Sequence, residues 1–373
     1  MTGDARAKRT VHVVEPTLED YAGHSYALVR GFCDAAGGRL NVKLWAGRNA
    51  ANLGFAPQVE VLPYFRRRLR LLQLLMLFRR LLRAGDEPVV VMTARRFDLT
   101  LARLAAGGKL KPGRLFLYFH WFRQTPKHIA YLRKAAAARL QVTILATTES
   151  ATAVFESAGF ERVVYLPYPT TAVPADGGDA GFRHLLYAGA ARADKGFRHV
   201  VDLVELLHRR GMQVPITVQA SAEHYGKYDE ATRANLRRLE HSGYASLRLA
   251  RETLDPVQYA ELFWGAICLQ PYEKDDFRDR VSGVTLDALT YGAPVIGPAG
   301  TWIARQFAEN SAGVALEDMG AESMLGAAQT MMASYDRYRA NALAAGRRLS
   351  ARSWAPLLSL LQENAQFPQQ AVA

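Results

Sequence analysis

The segment from Ser282 to Gly297 combines a helix start, one carboxylate and a glycine stop, a pattern that could bind a phosphorylated nucleoside. Ser282 and Gly283 open the predicted helix, where free backbone N–H groups and the helix dipole favour negative charge. Asp287 follows in the same helix, and its carboxylate could accept hydrogen bonds from the two hydroxyls of a ribose. An ordinary helix start before a glycine stop has the same pattern, so the segment alone leaves both interpretations open.

A second segment, 184–207, places two cations between a predicted strand and a predicted helix. Arg192 and Lys195 lie in a short loop, and Gly196 follows the lysine. Two positive charges on such a loop could stabilise the negative charge that grows on a departing diphosphate, as a metal ion does elsewhere. A lysine–glycine pair alone is a weak signal, but this one lies 87 residues before Ser282, so the same half of the chain contains two candidate phosphate-binding segments.

Both segments resemble the donor site of the group 1 glycosyltransferases, a retaining family with the GT-B fold. That family carries a Glu-x7-Glu motif ending in Glu-Ala-x-x-x-Gly-x-Pro-Val, and residues 287–295, DALTYGAPV, match its end with Asp in place of Glu. Eight positions earlier, Asp279 stands where the family has its first Glu. The resemblance implies that Asp279 is a catalytic residue contacting the transferred sugar and that Asp287 binds the donor ribose.

The resemblance also implies how the donor is held. The residues expected to bind its diphosphate are Arg192, Lys195, Ser282, Gly283 and Val284. The family usually has its arginine directly after the first glycine of the loop, where this chain has Ala190, so Arg192 is the nearest equivalent. The donor would be a UDP- or GDP-linked sugar, and neither a metal ion nor a further cofactor would be required.

The N-terminal half contains three further candidate residues. His120 ends a predicted strand, at the position where the family often has a histidine near the donor sugar and the acceptor. A histidine beside aromatic residues can equally belong to a core, so both interpretations stay open. Gly23 and His24 follow the first predicted strand, where the family has a glycine-rich turn under the acceptor and the diphosphate.

Short apolar runs alternate with helix-periodic segments along the whole chain, the pattern of parallel sheets with crossover helices. Seven strands are predicted before residue 170 and six after residue 181. The sequence therefore predicts an α/β protein of the GT-B type, with two doubly wound Rossmann-like domains facing each other across a cleft. The expected parts are an acceptor-binding domain at 1–170, a linker at 171–181, a nucleotide-sugar domain at 182–350, and a C-terminal helix at 351–373 that crosses back to the first domain.

Composition narrows the class of protein. Of 373 residues, 49% are hydrophobic and 22% are charged, which is typical of a globular protein and excludes a disordered one. The two cysteines, Cys33 and Cys268, have neither disulfide-framework nor zinc-site spacing. No apolar window reaches the length of about 20 residues that a membrane span needs, and no signal peptide is recognisable. These features predict a cytoplasmic protein.

Positive charge is concentrated in the N-terminal half, which suggests a polyanionic partner or an anionic membrane. Residues 1–170 contain 26 Lys and Arg against 12 Asp and Glu, whereas residues 171–373 contain 21 against 23. A helix predicted at 64–83 combines seven arginines with ten Leu, Met or Phe residues between Leu69 and Leu82 and has no acidic residue. Such a helix is typical of a membrane interface, although a domain helix with solvated arginines is the alternative. The residues predicted to face lipid are Arg66, Arg67, Arg68 and Arg70.

Together these features predict a glycosyltransferase that acts on a saccharide or lipid-linked acceptor, in surface polysaccharide or glycolipid synthesis. It would bind the inner face of the cytoplasmic membrane peripherally, and no nucleic-acid partner is expected. Two alternatives remain open. A nucleotide-sugar epimerase with the same fold would use the donor site alone, and a non-catalytic scaffold would keep the nucleotide pocket without the chemistry.

Overall fold

The chain divides into two compact units, the first formed by Met1–Thr171 with Ala351–Ala373 and the second by Ala172–Ser350. The structure, a computed structural model, describes residues 8–21, 24–108, 110–120, 122, 124–170, 181–220, 228–252 and 254–362. Residues 171–180 of the predicted linker lie outside these ranges.

The first unit contains a seven-stranded sheet in the order β3-β2-β1-β4-β5-β6-β7, and all its strand pairs are parallel. The strands are β1 (Arg9–Glu15), β2 (Leu40–Gly47), β3 (Val59–Phe65), β4 (Val89–Val91), β5 (Leu115–Phe119), β6 (Thr143–Ala146) and β7 (Val163–Tyr165). The order reverses between β1 and β4, which opens a crevice at the carboxyl ends of these two strands.

The second unit repeats this plan with six parallel strands in the order β10-β9-β8-β11-β12-β13. The strands are β8 (His184–Tyr187), β9 (Ile216–Gln219), β10 (Leu247–Ala250), β11 (Ala266–Leu269), β12 (Val295–Pro298) and β13 (Gly313–Leu316). Here the order reverses between β8 and β11. All thirteen predicted strands are confirmed. They could be predicted because short apolar runs bounded by glycine, proline and polar residues are typical of strands buried on both faces.

Helices connect the strands as crossovers. Those of the first unit are α1 (His24–Ala36), α2 (Arg70–Arg83), α3 (Arg96–Ala106), α4 (Pro126–Ala136), α5 (Glu149–Ser157) and α14 (Ala355–Gln362). Those of the second unit are α6 (Phe197–Arg209), α7 (Glu230–Glu240), α8 (Pro256–Glu261), α9 (Lys274–Phe277), α10 (Gly283–Thr290), α11 (Trp302–Ala308), α12 (Ala321–Met332) and α13 (Tyr335–Ala351).

Two predicted helices differ from those observed. The helix predicted at 64–83 begins only at Arg70, because Phe65 is fully buried as the last residue of β3. The C-terminal helix predicted at 351–373 begins only at Ala355, because a break separates α14 from α13, which ends at Ala351. Pro356 explains the break: a proline is tolerated in the first turn of a helix and disrupts the interior.

The core of the first unit includes side chains from the end of the chain. Trp354, Leu357 and Leu361 are buried in the same cluster as Val11, Leu28 and Phe32. The rings of Phe32 and Trp354 meet edge to face with centroids 5.4 Å apart. Helix α14 therefore completes the hydrophobic core that the first unit builds on one face of its sheet.

One glycine of the second unit permits a close approach of two backbone segments. Gly196 lies between β8 and α6 with a φ of +62°, in the left-handed region that other residues rarely adopt. A Cβ atom at this position would overlap the carbonyl oxygen of Pro271, in the segment that follows β11. Only glycine therefore allows the two loops at this sheet edge to pack together.

The substitution Gly196→Ala is expected to destabilise the protein by more than about 4 kcal/mol, because the overlap with Pro271 adds to the cost of the left-handed backbone. Gly211→Ala is the matched control: its φ is +60°, and no atom lies within 4 Å of the added Cβ. The control should cost only about 1–2 kcal/mol. Thermal unfolding of both variants measures the difference, and equal losses would contradict the steric argument.

Candidate functional site

The two predicted halves of the phosphate site meet at the carboxyl ends of β8 and β11. A Cβ atom built at Gly189, directly after β8, would lie 3.0 Å from Lys195 Nζ and 3.5 Å from Val284 Cγ2. The backbone N–H of Gly189 donates a 2.7 Å hydrogen bond to Gln219 Oε1, which ties this loop to the end of β9. Residues separated by most of a domain in sequence thus come together at the strand-order reversal, where open α/β sheets bind ligands.

Positive charge converges on the loop between β8 and α6. Arg192 pairs with Asp194 through both carboxylate oxygens, with 2.7 Å between Arg192 Nε and Asp194 Oδ1. Arg280, from the segment before α10, reaches the same carboxylate with Nη1 3.1 Å from Oδ2. Lys195 Nζ lies 5.4 Å from the centre of the Tyr272 ring, whose face favours a cation.

The environment of Lys195 disfavours its positive charge. Burial, and after it the charge of Arg192, lowers the pKa of Lys195 to about 8. The charge of Arg280 acts in the same direction, whereas that of Asp194 opposes it. An anion bound beside this ammonium group would remove the charge imbalance, so the loop has the electrostatics of an anion site.

Helix α10 presents its N-terminus at the same place. The Ser282 side chain caps the helix by accepting a 3.3 Å hydrogen bond from the N–H of Thr285. A Cβ atom at Gly283 would meet no atom within 4 Å, so space remains open in front of the first turn. Backbone N–H groups here are available to an anion.

Asp287 lies further along α10, beside a tyrosine that the sequence analysis did not identify. The Tyr259 hydroxyl donates a 3.1 Å hydrogen bond to Asp287 Oδ2. Burial raises the pKa of Asp287 to about 7, while this hydrogen bond and the charge of Lys195 act in the opposite direction. Tyr259 belongs to α8, which precedes β11, and nothing in the spacing of the motif points to it.

Asp279 and Arg280 point to different partners. Asp279 pairs with Arg305 of α11, with 3.0 Å between Oδ1 and Nη2. Its neighbour Arg280 joins Asp194 and was also missed by the sequence analysis, although it stands next to the first acid of the motif and two positions before Ser282. The role of Asp279 towards a sugar stays a prediction.

The predicted residues of the first unit lie in the segments that follow β1 and β5. His120 follows β5, and its ring makes edge-to-face contacts with Tyr118 and Tyr168, with centroids 4.7 Å and 5.1 Å away. Its carbonyl oxygen accepts a 2.9 Å hydrogen bond from Thr147 Oγ1. His24 begins α1, but its side chain and Gly23 lie outside the described residues.

A polar cluster that the sequence analysis missed lies where the strand order of the first unit reverses. Glu15, fully buried at the end of β1, accepts hydrogen bonds from Thr17 N–H at 3.1 Å and from Thr93 Oγ1 at 3.0 Å. Burial raises the pKa of nearby Asp98 to about 6, although the hydrogen bond that it accepts from the Arg95 N–H acts to lower this pKa. The signal available in the sequence was positional, since Glu15 is the last residue of β1 and Thr93 lies two residues after β4.

The basic segment, residues 66–83, exposes charged and apolar side chains together. Arg66, Arg67 and Arg68 are exposed before α2, and Leu72 and Met76 on α2 are 57% and 55% exposed. The opposite face of α2 is buried through Leu74, Leu77, Phe78, Leu81 and Leu82. Arg70 differs from the other three arginines, because it is half-buried and interacts electrostatically with Arg95, Asp98 and Glu15.

Across the described ranges, no cluster of three or more His, Cys, Asp or Glu residues could hold a metal ion. In the same residues, no helix has both the length and the apolar character needed to cross a membrane. Cys33 and Cys268 are both free thiols buried in the cores of their units.

No protein-family model matches the sequence, and no curated protein is significantly similar to it. Solved structures do match. Sucrose-phosphate synthase from Thermosynechococcus elongatus superposes with a TM-score of 0.66 at 14% identity, covering 94% of this chain and 97% of that one. HepE from Anabaena, solved with UDP-glucose, has a TM-score of 0.62 at 13% identity, covering 94% and 98%. WaaG, a glycosyltransferase involved in lipopolysaccharide biosynthesis, has a TM-score of 0.61 at 15% identity, covering 95% and 100%.

These similarities extend over nearly the whole of each chain, although few residues are identical. They show that the chain has the GT-B fold, as the sequence motifs predicted. The strand orders of both units agree with this result.

The raised pKa of Asp287 predicts a specific pH dependence of stability. Because the folded protein keeps this proton up to about pH 7 and the unfolded chain loses it near pH 4, wild-type stability should fall between these values relative to Asp287→Asn. The expected difference is about 2–4 kcal/mol. Denaturant unfolding at several pH values measures it.

Asp275→Asn serves as the control, since that carboxylate is 92% exposed and should give no comparable trend. A constant difference between wild type and Asp287→Asn across this pH range would contradict the burial argument.

Proposed function

We propose that the protein is a glycosyltransferase that moves a sugar from a nucleotide-diphosphate donor to a saccharide or lipid-linked acceptor. The observation that carries the proposal is the convergence of Lys195 and the N-terminus of α10 on Gly189. A cation and free helix N–H groups at one point suit a phosphate group. HepE was solved with UDP-glucose, which supports a nucleotide-sugar donor, and WaaG is involved in lipopolysaccharide biosynthesis, which supports an acceptor of the surface-glycan class.

In the proposed reaction, the bond between the anomeric carbon and the diphosphate oxygen breaks, and a bond forms between that carbon and an acceptor hydroxyl oxygen. The hydroxyl proton passes to the departing diphosphate, so atoms and charge balance. Arg192, Lys195 and the amides of residues 282–284 stabilise the charge that grows on the leaving group. Asp287 binds the ribose. The retained anomeric configuration, and a reaction without metal or cofactor, belong to the proposal through the resemblance to group 1 enzymes.

His120 and Asp279 keep their proposed roles as catalytic residues towards the sugars. Arg305 holds Asp279 in an ion pair, which restricts the orientation of its side chain. The aromatic rings beside His120 restrict its orientation. For Gly23 and His24, the acceptor-loop role likewise remains part of the proposal.

Nucleotide binding tests the donor site. Thermal-shift measurements with UDP, GDP, ADP, dTDP and their sugars, without added metal, should give stabilisation by one nucleotide class. Lys195→Ala and Asp287→Ala should each reduce that stabilisation at least tenfold in apparent affinity, because each removes one contact with the donor. Lys111→Ala, which removes an exposed lysine of the first unit, is the control and should bind normally. If no nucleotide or nucleotide sugar of the panel stabilises the wild-type protein, the proposed donor site is refuted.

We propose in addition that the basic segment binds the anionic inner face of the cytoplasmic membrane, where a lipid-linked acceptor would be met. Three exposed arginines next to exposed Leu72 and Met76 combine attraction to headgroups with apolar side chains that can enter the interface. The excess positive charge of residues 1–170 supports the same partner. Arg70 contributes less, because it is half-buried beside Asp98.

Vesicle co-sedimentation tests this surface. Changing Arg66, Arg67 and Arg68 together to Gln should weaken binding to phosphatidylglycerol-containing vesicles about 100-fold, at about 1 kcal/mol per arginine. The control is an equal loss of charge from exposed arginines of the second unit, namely Arg198, Arg209 and Arg210 changed to Gln. Equal binding of both triple variants would contradict the membrane role.

A further inference from the structure

Arg280 joins the two segments proposed to bind the donor diphosphate, although no motif assigns it a role. It precedes the N-cap Ser282 of α10 by two residues, and its Nη1 lies 3.1 Å from Oδ2 of Asp194 in the loop after β8. Its guanidinium also lies over the Phe277 ring, 4.8 Å from the centroid. The side chain is therefore held between the loop that joins β8 to α6 and the N-terminus of α10.

The charges at this place do not cancel. Asp194 carries one negative charge and pairs with two guanidinium groups, those of Arg192 and Arg280. Lys195 adds a third positive charge next to them, and the charges of both arginines lower its pKa. Among these four side chains, three are positive and one is negative, so together they carry a net charge of +2. The diphosphate of a nucleotide sugar carries two negative charges.

Solvent reaches all three side chains of the ion-pair cluster. The exposed fractions are 29% for Arg192, 25% for Asp194 and 32% for Arg280. These three charged groups are therefore accessible to a ligand from solvent. Arginine also presents a planar fork of donors that matches two phosphate oxygens at once.

We propose that Arg280 is a third cation of the donor diphosphate site and contacts the phosphate farther from the nucleoside or the oxygen bridging the two phosphates. The inference rests on the proposed function, because it assumes that a nucleoside diphosphate binds here. It assigns to Arg280 the discrimination between a diphosphate and a monophosphate, since only the diphosphate supplies that second group.

Calorimetric binding tests the assignment with the nucleoside diphosphate that stabilises the wild type most, and with its monophosphate. Arg280→Gln should weaken diphosphate binding at least about tenfold and leave monophosphate binding within about twofold. Arg280→Lys keeps the positive charge but lacks the planar guanidinium that can bind two phosphate oxygens, so it should recover part of the lost diphosphate affinity. Arg278→Gln is the matched control, because it removes an exposed arginine, 72% accessible, two residues away.

Three results would overturn the inference, and they differ in what they say about the donor site. If Lys195→Ala loses diphosphate binding while Arg280→Gln behaves like Arg278→Gln, Arg280 is not part of the site and the proposed function stands. If Arg280→Gln weakens the binding of diphosphate and of monophosphate equally, Arg280 only positions the loop and does not contact the second phosphate. If the wild type binds none of the four diphosphates, the proposed function fails and this inference fails with it.

Discussion

The backbone of Gly196 packs against the Pro271 carbonyl so closely that no side chain fits between them, and the candidate site depends on this contact. It joins the loop after β8 to the segment after β11, the two strands between which the sheet order reverses. Asp194 and Lys195 directly precede the contact, and Phe197 begins α6 directly after it. The position of the cations is therefore set by backbone packing, which is more rigid than side-chain packing on an open loop.

Burial and charge act together in the same region. Lys195 and Asp287 are both partly withdrawn from water, so the pKa of the lysine falls to about 8 and that of the carboxyl rises to about 7. Both shifts reflect burial that disfavours the charged form, and this burial makes the folded state less stable when these groups are charged. Groups arranged at such a cost before a ligand arrives need little reorganisation when it binds, which is the physical basis of electrostatic preorganisation.

The fold was predictable because it follows from local patterns, whereas part of the site was not. All thirteen strands follow from apolar runs and their glycine or proline boundaries, and the positions of Lys195, Ser282 and Asp287 follow from motif order. Partners such as Tyr259 for Asp287 come from distant elements, and no local pattern encodes them. The start of α2 was misplaced for a related reason, since the burial of Phe65 depends on the neighbouring sheet.

The packing of α14 into the first unit sets the order in which the two halves of this protein can finish folding. Trp354, Leu357 and Leu361 leave the ribosome only after all of Ala172–Ser350 has been synthesised. The second unit is continuous in sequence and can complete its core first, which reverses the usual vectorial order. Until then, the apolar face around Phe32 in the nascent first unit lacks the side chains that cover it in the folded protein.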